Sequence, residues 1–230
     1  MMRIGAIIQA RMSSSRLQGK VLREIAGKPL LAYIIERMRR VEELNFFVVA
    51  TSEEDSDDPI DEFCRTKGIA CHRGPLANVA QRFADTLANY PCDAFLRYCA
   101  DSPLLDVQIM CEAVRLFRTS NVDMVTNIFP RSYPAGQSIE VVRTQTFLKA
   151  VPEMNKTERE HNTAIFYNNN NKYQILNLAS GEDCAGIRHC VDTDREHAFI
   201  QELVSRMNKP HWEYGWKELL ELGEDLEREA

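Results

Sequence analysis

Short apolar runs recur through the first half of the chain, and amphipathic stretches separate them. Runs of this length that are rich in β-branched and aromatic residues are typical of buried strands. They predict strands at Ile4–Gln9, Phe46–Thr51, Ile69–His72, Ala94–Cys99 and Asp123–Thr126.

The stretches between these runs carry apolar residues at helical spacing. They predict helices at Pro29–Arg40, from Ser56 to Gly68, at Asn78–Ala88 and at Val107–Phe117. Regular alternation of strand and helix favours an α/β fold, in which a mostly parallel sheet carries helices on both faces.

The second half of the chain is less regular, and no linker, repeat or low-complexity segment divides it from the first. Strands are predicted at Ser138–Val142, Tyr173–Leu178 and Arg188–Val191, and helices at Asp194–Met207 and Glu213–Arg228. We therefore expect one domain over residues 1–230. Its parts are a parallel half at 1–126, a small antiparallel excursion at about 127–180, and a closing strand with C-terminal helices at 181–230.

Composition is that of an ordinary globular chain, because 44% of the 230 residues are hydrophobic and 27% are charged. The apolar runs stop far short of the ~20 residues that a membrane span needs. The N-terminus lacks the apolar region and cleavage site of a signal peptide, so we expect a cytoplasmic protein.

The formal net charge is −6, which disfavours general binding to nucleic acid or to an anionic membrane. An anionic ligand would need a local basic cluster instead. None of the seven cysteines forms a Cys-x-x-Cys pair, so we expect free thiols in a reducing compartment.

A basic cluster follows the first strand, in the loop at residues 9–20. It contains Arg11, Arg16 and Lys20 among three serines, and Gly19 precedes the lysine. Small residues let the backbone approach an anion, hydroxyls add donors, and cations neutralise phosphate charge. Ligands of open α/β sheets bind at this edge, so the loop is predicted to bind phosphate. It is not a P-loop, because Ser14 stands where a glycine would be required.

The segment IIQARMSSSRLQGKVL, at residues 7–22, resembles the opening motif of the cytidylyltransferases that make CMP-activated sugars. These include the 3-deoxy-manno-octulosonate and acylneuraminate enzymes, and the resemblance is closest to the spore coat polysaccharide biosynthesis protein F-like branch. Later segments match in order, at Cys71–Gly74, Val79–Arg82, Leu96–Asp106, Tyr133–Val141, Arg159–Thr163 and Val191–Thr193.

The resemblance implies a Rossmann-like fold of the nucleotide-diphospho-sugar transferase (GT-A-like) type. It also implies a Mg²⁺-dependent reaction, in which CTP and a sugar hydroxyl give a CMP-sugar and pyrophosphate. We expect an acidic keto-sugar as the acceptor, a role in surface polysaccharide synthesis such as that of the spore coat, and a homodimer.

The resemblance assigns roles to individual residues. It implies nucleotide binding by Ala10, Arg11, Ser14, Ser15, Arg16, Lys20, Arg73 and Arg82. It implies catalytic roles for Arg11, Lys20 and Asp101, and a magnesium site formed by Asp101 and Asp192. Arg97, Glu140 and His161 are expected to contact the acceptor.

Structural alternatives stay open for several of these residues. Asp101 precedes Ser-Pro and could cap a turn. A helix cap is the alternative for Asp192, although we expect Thr193 or Asp194 to be the residue that caps the helix. Arg97 could pair with a nearby carboxylate, and His161 could be structural.

The loop departs from the family at Gln18, where proline is usual, and the later motifs depart at Asn78 and Ala100. Three other functions stay open, and the departures motivate the third of them. The first is nucleotidyl transfer to a sugar 1-phosphate or another acceptor such as a phosphonate. The second is glycosyl transfer from a nucleotide sugar, and the third is nucleotide binding without turnover.

Overall fold

The computed structural model describes residues 2–229. Its strands are β1 (Ile4–Gln9), β2 (Glu24–Ile25), β3 (Lys28–Pro29), β4 (Phe46–Ser52), β5 (Cys71–Gly74), β6 (Ala94–Cys99), β7 (Met124–Thr126), β8 (Glu140–Arg143) and β9 (Ile175–Asn177). Its α-helices are α1 (Leu30–Met38), α2 (Asp58–Thr66), α3 (Val79–Asn89), α4 (Val107–Thr119), α5 (Thr144–Ala150), α6 (Lys156–Glu160), α7 (Ala164–Asn168), α8 (Asp194–Ser205) and α9 (Trp216–Glu229).

Seven of the strands form one sheet in the order β5-β4-β1-β6-β8-β7-β9. Within it only β8 runs antiparallel to its neighbours, β6 and β7. The other neighbouring pairs are parallel. Strands β2 and β3 form a separate antiparallel pair. The carboxyl ends of six strands therefore lie at one edge of the main sheet, which is where ligands of such sheets bind.

Alternation along β1 builds a core on each face of the sheet. Ile4 and Ile8 belong to one apolar cluster, together with buried residues of α1, α4, α8 and α9. Ile7 belongs to the other, which contains buried residues of α3, α5 and α7. The predicted fold class, a mostly parallel sheet covered on both faces, is confirmed.

Arg37 on α1 anchors the C-terminal segment although it is fully buried. Its guanidinium donates to the carbonyls of Leu105 at 3.1 Å, of Tyr214 at 3.3 Å and of His211. Burial lowers the pKa of Arg37 to about 10, so the group keeps its proton at neutral pH. The backbone oxygens thus solvate a cation that has no carboxylate partner in the described structure.

Element boundaries agree with the predictions over most of the first half, but two predicted strands, one in each half of the chain, need correction. The strand predicted at Ile69–His72 is β5, which runs from Cys71 to Gly74, so Ile69 and Ala70 precede it. Arg188–Val191 is not a strand, because only Arg188 bridges to Ala135 and the Val191 amide donates to Asp101.

The excursion also differs in detail from its prediction. Strand β9 is parallel to β7. Of the strands in the excursion, β8 is therefore the one that runs antiparallel in the main sheet. The β2–β3 pair and helices α5, α6 and α7 were not predicted, because elements this short show no clear periodicity. No helix of the described residues is long and apolar enough to cross a membrane.

Candidate active site

The loop after β1 closes on its own backbone at the carboxyl edge of the sheet. The amides of Ser14 and Gly19 both donate to the Met12 carbonyl, at 2.9 and 2.8 Å. Gly19 has φ +69°, a left-handed conformation that favours glycine. The loop shape therefore depends on glycine at the position before Lys20.

Asp57 fixes this loop to the end of β4, and sequence reasoning did not identify it. Its fully buried carboxylate accepts from the Met12 amide at 2.7 Å and from the Ser52 amide at 3.0 Å. The sequence around Asp57 shows only the pattern of a helix start. That pattern does not distinguish a carboxylate that binds a distant loop from one that caps the helix.

Lys20 joins three distant parts of the chain. Its Nζ lies 2.8 Å from Asp192 Oδ1 and 2.9 Å from the Val191 carbonyl, and 3.5 Å from Asp101 Oδ2. Asp101 follows β6, and Asp192 precedes α8. The structure thus brings together the predicted lysine and both predicted carboxylates.

Asp192 does not cap α8. Thr193 does, because its hydroxyl accepts from the Glu196 amide while the Glu196 carboxylate accepts from the Thr193 amide. This capping box leaves the Asp192 carboxylate free to face the loop.

Two guanidiniums also hold the Asp192 carboxylate. Arg16 and Arg188 each lie 3.1 Å from Oδ2. Burial raises the pKa of Asp192, but the hydrogen bond and charge of Lys20 and the charges of the two arginines outweigh it and lower that pKa. The sequence did not single out Arg188, because it lies in a segment predicted as a plain strand.

The donor set fits a magnesium ion that shares its coordination with a nucleotide. Mg²⁺ usually takes one or two carboxylates together with substrate phosphates and waters. Asp101 and Asp192 converge on the same ammonium group, so one cation can reach both. No group of three or more His, Cys, Asp or Glu residues forms a metal site within residues 2–229.

The other predicted nucleotide-binding residues in and beside the loop differ in exposure and in their hydrogen-bond partners. Arg11 is partly exposed, and its guanidinium is 3.8 Å from Glu160. Ser14 Oγ accepts from the Leu17 amide at 3.3 Å, and Ser15 is exposed. Ala10 is buried and hydrogen-bonded to β4.

Arg73 and Arg82 are held by the fold itself. Arg73 is 2.6 Å from Asp58 and donates to the Ser52 and Glu54 carbonyls, so the structure does not bring it to the loop. Arg82 is fully buried and donates to the Pro75 carbonyl at 3.0 Å, while its Nε and Nη2 have no partner in the part of the chain that the structure describes. Burial lowers the pKa of Arg82 to about 10, against the charge of Asp57.

A cavity of about 260 Å³ opens beside Asp101 and Asp192. Arg97 and Glu140 line it and form an ion pair at 2.6 Å. Tyr167 donates to the other Glu140 oxygen at 2.6 Å. Burial and the Glu140 charge raise the pKa of Tyr167, so its hydroxyl stays a donor.

Arg131 also lines this cavity, and sequence reasoning missed it. It donates to Ser138 Oγ at 3.0 Å and to the Pro134 carbonyl at 3.4 Å. Among the side chains that the structure describes, no carboxylate forms an ion pair with its guanidinium. His161, in contrast, is exposed after α6 and does not line the cavity.

One of the three departures from the family pattern has a structural role. Asn78 caps α3, because its side chain accepts from the Gln81 amide at 3.0 Å. Ala100 is buried, and its amide donates to the Gln9 carbonyl as that of a glycine would. Gln18 is exposed, and nothing in the structure explains it.

An α/β sheet with a cationic loop and two carboxylates at its carboxyl edge defines a nucleotide-dependent transferase. The family model of the cytidylyltransferases matches residues 5–230. The chain therefore belongs to the cytidylyltransferase family, and it is a nucleotidyltransferase.

Two relatives and one solved structure carry informative names. Spore coat polysaccharide biosynthesis protein SpsF of Bacillus subtilis is 26% identical over 208 residues, covering 87% of this chain and 85% of SpsF. The 3-deoxy-manno-octulosonate cytidylyltransferase of Anaeromyxobacter dehalogenans is 33% identical over 150 residues, covering 64% and 60%. A cytidylyltransferase structure from Leptospira borgpetersenii has a TM-score of 0.94 at 26% identity, covering 99% and 96%.

Proposed function

We propose that the protein transfers CMP from CTP to a hydroxyl of an acidic sugar, with Mg²⁺ and with release of pyrophosphate. One observation carries this proposal: Lys20, Asp101 and Asp192 meet at the carboxyl edge of the sheet, beside the cationic loop. The name of SpsF, a spore coat polysaccharide biosynthesis protein, supports a role for such a product in surface polysaccharide synthesis.

The loop would hold the triphosphate. Arg11, Arg16 and Lys20 supply the positive charge, and Ser14 and Ser15 lie along the same stretch of backbone. Phosphoryl chemistry of this kind depends mostly on positioning and charge neutralisation. Arg82 would support the site indirectly, through its charge interaction with Asp57, the carboxylate that fixes the loop.

Asp101 and Asp192 would hold the magnesium ion. The ion, when bound, neutralises charge on the phosphates and on the pyrophosphate that leaves. Before the nucleotide enters, Lys20 keeps the two carboxylates close together, because it contacts both of them. The Asp101 hydrogen bond from Ser102 Oγ at 3.0 Å fixes the orientation of that carboxylate.

The acceptor would occupy the cavity of about 260 Å³ beside the carboxylates. Glu140, oriented by Arg97 and Tyr167, would accept a hydrogen bond from a sugar hydroxyl. Arg131 would face the anionic group of the sugar, since a guanidinium pairs well with a carboxylate. The attacking hydroxyl oxygen bonds to the α-phosphorus as the bond to pyrophosphate breaks.

Pyrophosphate release with CTP and a panel of acidic keto-sugars tests the proposal. We expect Asp101→Asn and Lys20→Met to lower kcat/KM by at least about 100-fold, because each removes charge at the reacting phosphates. Asp225→Asn, an exposed change on α9, is the matched control. Pyrophosphate release only with sugar 1-phosphates would favour nucleotidyl transfer to those acceptors instead.

A homodimer in the cytoplasm is part of the same proposal. Edge strand β9 is only half-buried, and an uncovered strand edge favours pairing with another chain. The seven cysteines are free, as suits a reducing compartment. Light scattering should give twice the chain mass of 26.4 kDa, and a monomer mass would contradict the dimer.

A further inference from the structure

Cations occupy both oxygens of the Asp192 carboxylate. The Lys20 ammonium lies 2.8 Å from Oδ1, and the guanidiniums of Arg16 and Arg188 each lie 3.1 Å from Oδ2. The Asp192 side chain is only 14% exposed. A divalent cation approaching this carboxylate therefore meets three positive charges at contact distance.

Two of these cations belong to the loop that would grip the triphosphate, and the third does not. Arg16 and Lys20 lie in that loop. Arg188 is instead tied to the segment around Asp192, because its Nε is 3.0 Å from Glu196 Oε1 and its Nη2 is 3.2 Å from Cys190 Sγ.

Because two of the three cations belong to the loop, nucleotide binding would change how accessible the Asp192 carboxylate is to a metal ion. A triphosphate carries several negative charges and attracts Arg16 and Lys20 more strongly than a single carboxylate does. When those two cations turn to the phosphates, Oδ1 loses its partner and only Arg188 stays on Oδ2. Without the nucleotide, a divalent cation must compete with all three.

We propose that Arg16 and Lys20, together with Arg188, exclude divalent cations from Asp192 until a triphosphate enters the loop, and that Arg188, which stays on Asp192, weakens metal binding both with and without the nucleotide. Arg188 is thus a positioning residue that acts through Asp192. The inference rests on the proposed function for its nucleotide. Coupling of this kind is reciprocal, so metal and nucleotide raise each other's affinity by the same factor.

The first test measures metal binding with no nucleotide present. Mn²⁺ is titrated into the protein, and free Mn²⁺ is followed by electron paramagnetic resonance. Wild-type protein should bind Mn²⁺ weakly, and Arg188→Gln should bind it about tenfold more tightly, because one of the competing charges is gone. Damage to the fold would weaken binding, so a gain of affinity separates the proposal from a structural role.

Two further variants serve as controls. Arg188→Lys keeps the positive charge and should remain close to the wild type. Arg65→Gln removes an arginine from an exposed ion pair with Glu62 on α2, far along the chain from Asp192, and should change nothing. If Arg188→Gln does not fold, Arg16→Gln replaces it, since that side chain is 62% exposed and should also tighten Mn²⁺ binding.

The second test measures CTP affinity by calorimetry in EDTA and in Mg²⁺. The gain of CTP affinity on adding Mg²⁺ should be smaller in Arg16→Gln than in wild type, because Arg16 competes with the metal only while the nucleotide is absent. Tight Mn²⁺ binding by wild-type protein without nucleotide would overturn the inference, as would equal affinities in wild type and Arg188→Gln. Absence of any CTP binding would overturn the proposed function, but it would leave the nucleotide-free Mn²⁺ result to be judged separately.

Discussion

At the residue scale, Gly19 shows how one backbone conformation supports the site. Its φ of +69° turns the chain so that the Lys20 side chain reaches Asp192, while the Gly19 amide donates to the Met12 carbonyl. A side chain there is strained whatever space surrounds it.

Gly19→Ala should destabilise the protein by about 1 kcal/mol and weaken CTP binding as well. Gly27→Ala is the matched control, because Gly27 has φ +74° and lies in the β2–β3 turn with open space around it. It should cost similar stability and leave CTP affinity unchanged. Equal effects of the two changes on CTP affinity, measured by calorimetry, would contradict the role of the loop.

His189 makes stability depend on pH. Burial lowers its pKa to about 4, so the folded protein keeps the ring neutral while the unfolded chain protonates near its ordinary pKa. Between those two values the unfolded state binds more protons, so stability rises with pH. His189 alone should remove about 2 kcal/mol between pH 7 and pH 5.

Urea unfolding at several pH values measures this slope. His189→Gln should flatten it between pH 7 and pH 5 by about the same 2 kcal/mol. Stability at pH 7.5, where the histidine is neutral in both states, serves as the internal reference. An unchanged slope in the variant would contradict the assignment to His189. His211, whose pKa burial also lowers to about 4, should contribute a second slope of the same sign.

At the element scale, one buried cation connects α1 to the loop after β6 and to the segment before α9. Arg37 donates to carbonyls in both of those regions. The loop after β6 also carries Asp101, so the position of that carboxylate depends on contacts far from the cavity.

Arg37→Leu should destabilise the protein by about 3 kcal/mol, because three carbonyl oxygens lose their donor in a buried place. Arg65→Leu makes the same exchange on the exposed face of α2 and should cost less than about 0.5 kcal/mol. Chemical denaturation compares the two variants. Similar losses would show that Arg37 contributes no more than a surface arginine.

The sequence predicted the longer elements well, because their periodicity extends over several turns. Ile4–Gln9 and Ala94–Cys99 are confirmed at both ends. The prediction was wrong for Arg188–Val191, whose apolar residues pack without a neighbouring strand to pair with. Alternation alone cannot reveal that a partner strand is missing.

The site was predicted in part. The resemblance to the cytidylyltransferases predicted that Lys20, Asp101 and Asp192 act together, and the structure places the three side chains next to one another. The sequence did not identify Asp57, Arg131 or Arg188 as part of the site. Their roles depend on which distant segments fold against them. No local pattern distinguishes a buried carboxylate that binds a loop from one that caps a helix.

At the scale of the whole molecule, the parallel sheet gathers groups that are far apart in the chain. Lys20 and Asp192 lie 172 positions apart and meet within hydrogen-bond distance. The inserted β8 brings Glu140 opposite Arg97, so the same sheet also lines the cavity of about 260 Å³. The residues proposed for the nucleotide and for the acceptor thus share one edge of the sheet.

Thermal unfolding with CTP, UTP, ATP or GTP, each with and without Mg²⁺, tests this account most directly. At 100 times its dissociation constant, CTP should stabilise the protein by roughly 2.7 kcal/mol, which raises Tm by a few degrees. The Mg²⁺-dependent part of that rise should vanish in Asp101→Asn. No shift with CTP, or an equal shift with all four nucleotides, would contradict a cytidylyl-transfer site at Lys20, Asp101 and Asp192.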